Sequence, residues 1–283
     1  MPCSLFAPVD ALPVITTGRN TNQYYSGHEP YLVLNNDPDT YWKPTVRTTI
    51  ALYIDLGSAI AVDAVSLWLH SYNEVWADSK QLIIYSSSDN VTYTEVDTFD
   101  FADMRTAQKE PVVLGKFTAQ TTNRYWKVEF DHFQTSPSML PQVSCVWFLK
   151  DCSIPDNYQL PETITYSHFS LETISRAGSH YATNTGVGHQ RTFERTFILT
   201  QPANWQKCID AYELAKGNSL PVIIQLDGTS GAYVAVLFAS DLVGSKQEHE
   251  YWQPTVSFVE LGFKRFYTDA TGVIDYGEWG ITC

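Results

Sequence analysis

The sequence predicts an all-β chain built as two β-sandwich units with a single flanking helix. Three observations predict it. Residues 1–152 break into short runs of alternating apolar and polar side chains, separated by turns that carry Asn, Asp, Ser and Gly. One stretch alone, near residues 202–216, repeats its apolar residues at helical spacing. The turn Asn35-Asn36-Asp37-Pro38-Asp39-Thr40-Tyr41-Trp42 precedes the alternating run Ile50-Ala51-Leu52-Tyr53-Ile54-Asp55-Leu56-Gly57. Such a polar turn, closed by Thr and Trp and leading into a strand, suits a sandwich whose loops bind something better than it suits an enzyme.

Taken in order, residues 61–70 alternate next, with Val65, Leu67 and Leu69 on one side. Residues 81–86 form a strand, and Ser87-Ser88-Asp89-Asn90 a turn whose short side chains bond the backbone. Residues 92–96, 112–117, 124–130 and 142–148 are further strands, and no amphipathic helix interrupts them. Residues 153–161, with Pro155 and Pro161, read as a linker between a first domain at 1–152 and a second at 162–283. In the second domain, strands are expected at 163–171, 190–199, 221–226, 232–238 and 255–263. Its helix has Pro202 in the first turn, Trp205, Cys208, Ile209, Tyr212 and Leu214 at helical spacing, and Gly217-Asn218 as its stop.

The bulk numbers bound the function. The 283 residues suffice for two ordinary domains, and 44% hydrophobic against 17% charged residues provide for real cores. A net charge of −13 argues against phosphate-backbone recognition, so no nucleic-acid binding is expected. No apolar run approaches the roughly 20 residues of a membrane span, and Met1-Pro2-Cys3-Ser4 opens no signal-peptide pattern. The five cysteines, Cys3, Cys145, Cys152, Cys208 and Cys283, form no Cys-x-x-Cys pair. Free thiols in a reducing compartment are the expected state, with a pairing of Cys3 to Cys145 or Cys152, or a cluster of the last four, as alternatives. His168, His180 and His189 are expected to be ordinary hydrogen-bonded histidines. No nucleophile elbow, zinc-protease helix or phosphate loop is present, and no carboxylate pair stands out, so the chain is expected not to be an enzyme.

Four pieces, in order, carry a resemblance in the first half. They are the 35–42 turn, the strand end Asp55-Leu56-Gly57, the hairpin Ser87-Ser88-Asp89-Asn90-Val91-Thr92-Tyr93, and Arg124-Tyr125-Trp126-Lys127-Val128. Together they resemble the discoidin, or coagulation-factor C-type, domain, a galactose-binding-like jelly roll. That resemblance implies loops at one end of the sandwich that bind a glycan, lipid or protein. It also implies that a structural calcium can sit in the first turn, with Asn35, Asp37 and Thr40 as oxygen ligands. Asn35 and Asn36 stand where the family has Asp and Gly, and the alternative is an Asx-type turn with Thr40 bonding the backbone. Apart from that calcium, no cofactor is expected.

Arg195-Thr196-Phe197-Ile198-Leu199, the helix, and the strands that follow resemble the tail-tube-like ring domain of phage distal tail proteins. This implies a hexameric ring, other tail or baseplate proteins as partners, and a place in the virion tail after synthesis in the host cytoplasm. The glycan-binding candidates are Arg47, His70, Tyr72, Asn73 and Trp76, which mix aromatic faces with hydrogen-bonding tips. Trp42 reads more readily as a core aromatic. Tyr251 and Trp252 are the oligomer-interface candidates, at an expected sheet edge. The expected function is thus a tail-tip or baseplate protein whose peripheral first domain touches host glycans. The alternative is a carbohydrate-binding, lectin-like module with no virion role.

Overall fold

A computed structural model describes residues 2–16, 24–45, 50–70, 81–101, 112–131, 140–157, 163–174, 180–197, 200–225, 233–246, 251–261, 267–268 and 274–275. The strands in chain order are β1 (Pro2–Cys3), β2 (Leu5–Pro8), β3 (Val14–Ile15), β4 (Ile50–Leu69), β5 (Gln81–Ser87), β6 (Thr94–Asp100), β7 (Val112–Asp131) and β8 (Val143–Asp151). They continue with β9 (Ile154–Asn157), β10 (Thr163–Ile174), β11 (His180–Thr196), β12 (Val222–Gln225), β13 (Tyr233–Phe238), β14 (Val243–Lys246), β15 (Trp252–Glu260), β16 (Tyr267–Thr268) and β17 (Ile274–Asp275). The helix α1 spans Pro202–Leu214, and Pro30–Leu34 makes a short 3₁₀ turn that the strand pattern did not foretell. The all-β fold class is therefore observed, with one α-helix among the described residues.

The first half is organised by two long bent strands. β4 and β7 each run for 20 residues and pair antiparallel, with register breaks between Asp55 and Ile60 and between Val62 and Ala64. Gly57 sits at the first break with φ +81°, a left-handed conformation that costs glycine no Cβ clash, and its N–H is held by Asp55 Oδ1 at 2.7 Å. The bend lets Leu52 and Ile54 from one arm and Val65, Leu67 and Leu69 from the other contribute to a single core. That core also holds Trp42, Trp126, Val128, Phe130, Val146 and Phe148. β6 closes over the first arm of β7, where Phe99 stacks on Phe117 at 6.3 Å. Gly115 makes this closure fit, because a Cβ there would lie 2.6 Å from the Phe99 ring.

The second half builds its own core from Phe193, Phe197, Val222, Ile224, Val236, Val256 and Phe258 beneath the helix residues Trp205, Cys208 and Ala211. Trp252, expected at an oligomer interface, packs against this core. It is half-buried, its ring stacks on Trp205 at 6.2 Å, and its backbone exchanges hydrogen bonds with Thr200 at 2.7 and 2.9 Å. The physical reason is that a helix lying on a sheet needs a large ring to fill the gap beneath its first turn. Tyr251 beside it remains partly exposed.

The two halves share strands. Thirteen strands form one sheet, in which β2 lies between β8 and β12. Phe6 pairs with Asp151 on one side and with Ile223 on the other. Residues 154–157, inside the stretch expected to be a linker, form β9 and pair with β1. A third core of Phe6, Ala64, Trp68, Leu114, Trp147, Leu149, Ile223 and Ala235 joins residues from both halves. Cys145, Cys152 and Cys208 are buried and not in disulfides, and burial pushes the Cys152 thiol up to about 11 and raises Cys145 further still.

Candidate functional site

One end of the first sandwich gathers polar and aromatic groups around the 35–42 turn. The turn is fixed by its own side chains. Asn35 Oδ1 accepts the Asp37 N–H at 2.9 Å, Asp37 Oδ1 accepts the Asp39 N–H at 2.9 Å, and Thr40 Oγ1 donates to Asp37 O at 3.3 Å. The bond from the Asp37 N–H settles which Asn35 atom is oxygen, so its amide nitrogen is the group that meets Thr40 Oγ1, at 2.9 Å. Asn35 Oδ1, Asp37 Oδ1 and Thr40 Oγ1 are thus engaged within the turn, and Asn35 turns a donor rather than an acceptor toward Thr40. This arrangement does not suit calcium, which takes six to eight converging oxygens.

The turn is tied to β8 at three points. Trp42 and Val143 exchange backbone bonds at 2.9 and 3.2 Å. Ser144 Oγ donates to Pro38 O at 2.9 Å. Trp147 Nε1 donates to Asn36 Oδ1 at 2.7 Å, with Asn36 in the left-handed region at φ +57°. Trp42 itself is buried in the first core against Phe130, at 5.8 Å, as a packing role requires.

Tyr41 lies between two imidazoles. His28 stacks on one face at 4.1 Å between ring centres and His70 on the other at 3.9 Å. Each imidazole is fixed through Nδ1. His28 Nδ1 donates to Tyr41 O at 3.2 Å, while His70 Nδ1 lies 3.2 Å from Ser144 Oγ and 3.4 Å from Pro38 O. All three rings are half-buried, so part of each reaches the surface. Residues 24–28 run beside 41–44, with the Tyr25 N–H on Lys43 O at 3.0 Å and the Lys43 N–H on His28 O at 3.3 Å. Lys43 Nζ stands 5.1 Å from the centre of the Tyr25 ring, which is 41% exposed.

Of the residues expected to bind glycan, His70 is brought to this end of the sandwich. Arg47, Tyr72, Asn73 and Trp76 lie outside the described residues. Sequence reasoning missed Tyr25, His28, Tyr41, Lys43 and Ser144. The signal for the first four was their place in or close to the 35–42 turn, in two short segments rich in rings. Ser144 gave no signal, because only the fold brings it beside Pro38. Among the described residues, no three His, Cys, Asp or Glu side chains gather as a metal site, and no helix is long and apolar enough to cross a membrane.

No family model matches the sequence, and no curated protein matches it. Several solved structures match about half of the chain. One is CBM32-1 from a family 31 glycoside hydrolase of Clostridium perfringens, with 19% identity, 51% of this chain and 96% of that one covered, and a TM-score of 0.38. A putative chitobiase fragment from Bacteroides thetaiotaomicron matches at 14% identity over 51% of this chain and 92% of that one, with a TM-score of 0.39. A chitosan-binding module of a chitosanase/glucanase from Paenibacillus sp. IK-5 matches at 15% identity over 50% and 96%, with a TM-score of 0.35.

Proposed function

We propose that the first sandwich is a glycan-binding module whose site is the loop end formed by residues 24–45 and His70. The observation that carries this reading is the column His28–Tyr41–His70 beside the exposed Tyr25 ring. A sugar has apolar ring faces and polar hydroxyl edges. It is met by aromatic faces with hydrogen-bonding groups fixed beside them, and both are present here. The Nδ1 bonds hold the imidazoles in place before any ligand arrives, which lowers the cost of ordering on binding. The acidic balance of the chain favours neutral or amino sugars over sulfated or carboxylated ones.

Titration of the purified protein against a panel of neutral, amino and acidic oligosaccharides tests the proposal. Wild type is expected to bind a neutral or amino sugar. Tyr25→Ala, an exposed position, is expected to weaken that binding about tenfold, or about 1.4 kcal/mol, while leaving thermal stability almost unchanged. Tyr41→Ala is expected to weaken it further, because it removes the ring both imidazoles lean on. A wild type that binds nothing on the panel overturns the reading.

The tail-ring role, its hexamer, its tail and baseplate partners and its virion location rest on the sequence resemblance of residues 162–283 alone. Light scattering on the purified chain tests them directly, with a six-subunit mass as the supporting result.

A further inference from the structure

We propose that Trp147 is a positioning residue for this loop end, and that through it the second half of the chain braces the glycan site. The inference rests on the glycan-binding reading above. Trp147 sits on β8 with its ring in the third core, alongside Phe6, Trp68, Ile223 and Ala235. Ile223 and Ala235 come from β12 and β13, in the second half. The same indole donates its one N–H to Asn36 Oδ1 at 2.7 Å.

Asn36 is the residue on which the turn pivots. Its backbone is left-handed, at φ +57°, and it lies between Asn35, which caps Asp37, and Pro38, whose carbonyl meets Ser144 and His70. A shift of the indole therefore moves Asn36 or breaks its bond, and either change is passed on to the Pro38 carbonyl and the His70 ring. The other two ties to β8, at Val143 and Ser144, come from residues that are not part of the third core. Trp147 is thus the tie that links the turn to residues of both halves.

The test uses the full chain with three single variants and one double. Trp147→Phe keeps an apolar ring in the third core and removes the N–H. Asn36→Gly keeps the left-handed backbone and removes the acceptor. Ile223→Val trims the third core from the second half and leaves the loop end untouched. Two quantities are read: affinity for the sugar that wild type binds, and amide exchange of residues 35–42 without ligand.

Trp147→Phe and Asn36→Gly are each expected to weaken binding several-fold and to speed exchange in the turn. The double variant should be no worse than either single one, since both remove one bond. Ile223→Val should speed exchange in the turn by a smaller factor. A role confined to packing would lower the melting temperature and leave affinity and turn exchange as in wild type, which overturns the inference. Additive losses in the double variant also overturn it. If wild type binds no sugar but exchange in the turn responds as stated, the glycan reading fails and the bracing of the turn stands.

Discussion

Asp89 organises the hairpin turn between β5 and β6. Its Oδ1 accepts the N–H groups of Val91 at 2.8 Å and Thr92 at 2.9 Å, and the Ser87 hydroxyl at 2.8 Å. Those donors, Thr92 first, draw its carboxyl from an ordinary 3.8 down to about 2. The sign follows from linkage. A carboxyl held low in the folded state adds stability that is present above its unfolded value and is lost as pH falls toward the folded one. Asp89→Asn keeps an acceptor oxygen but no charge. It is expected to melt below wild type at pH 7 and to converge with it between pH 4 and pH 2, where wild type becomes protonated. A constant gap in melting temperature across that range would show that the carboxylate is not held down. The same turn shows what the sequence could and could not reveal. Asn36 stands where the discoidin pattern has glycine, and it adopts positive φ, at +57°, as Asn90 does at +60°. Asparagine is the residue that best replaces glycine there, because its short side chain bonds locally in the left-handed region. The departure at Asn36 is therefore a substitution that suits a left-handed backbone, legible once that shape is seen.

Strands were easier to read than their joins. Residues 50–57 and 61–70 each alternate cleanly, yet they are two arms of one bent strand, as are the two arms of β7. Periodicity marks which residues face inward but not whether the chain stays paired across a bend. The helix was legible because apolar residues at its spacing face one core, and it spans Pro202–Leu214 against an expected 202–216. Its partner was not legible, since β15 enters beneath it from about forty residues further on. Trp252→Ala follows from this docking. The ring is half-buried on Trp205, so truncation is expected to cost about 3 kcal/mol, at the low end for a packed tryptophan. The loss should appear as a lower urea midpoint with the oligomeric state unchanged. A variant of wild-type stability that loses subunits would place Trp252 at an oligomer interface.

The whole molecule is held together at β2, a four-residue strand whose faces serve different cores. Leu5 and Ala7 point into the second core, and Phe6 into the third. The alternation is the ordinary period of a strand, but here it joins two sandwiches. Phe6 meets Tyr233 edge to face at 6.5 Å across this junction, while the Lys116–Asp151 ion pair at 2.6 Å ties β7 to β8 within the first half. A composition shift at 153–161 suggests two domains, yet the hydrogen bonds of β2 run to β8 on one side and β12 on the other. Removing either neighbour would leave a row of unpaired backbone groups beside an apolar core. The halves are therefore expected to unfold together. Calorimetry of the wild type should give one transition, with amide exchange in β7 and β13 reporting the same free energy. Phe6→Ala should lower both by a similar amount, about 3–5 kcal/mol for a buried phenylalanine. If the variant instead shows two transitions, or if exchange falls in β13 while β7 keeps its protection, the third core is a contact between independent domains and β2 belongs to only one of them.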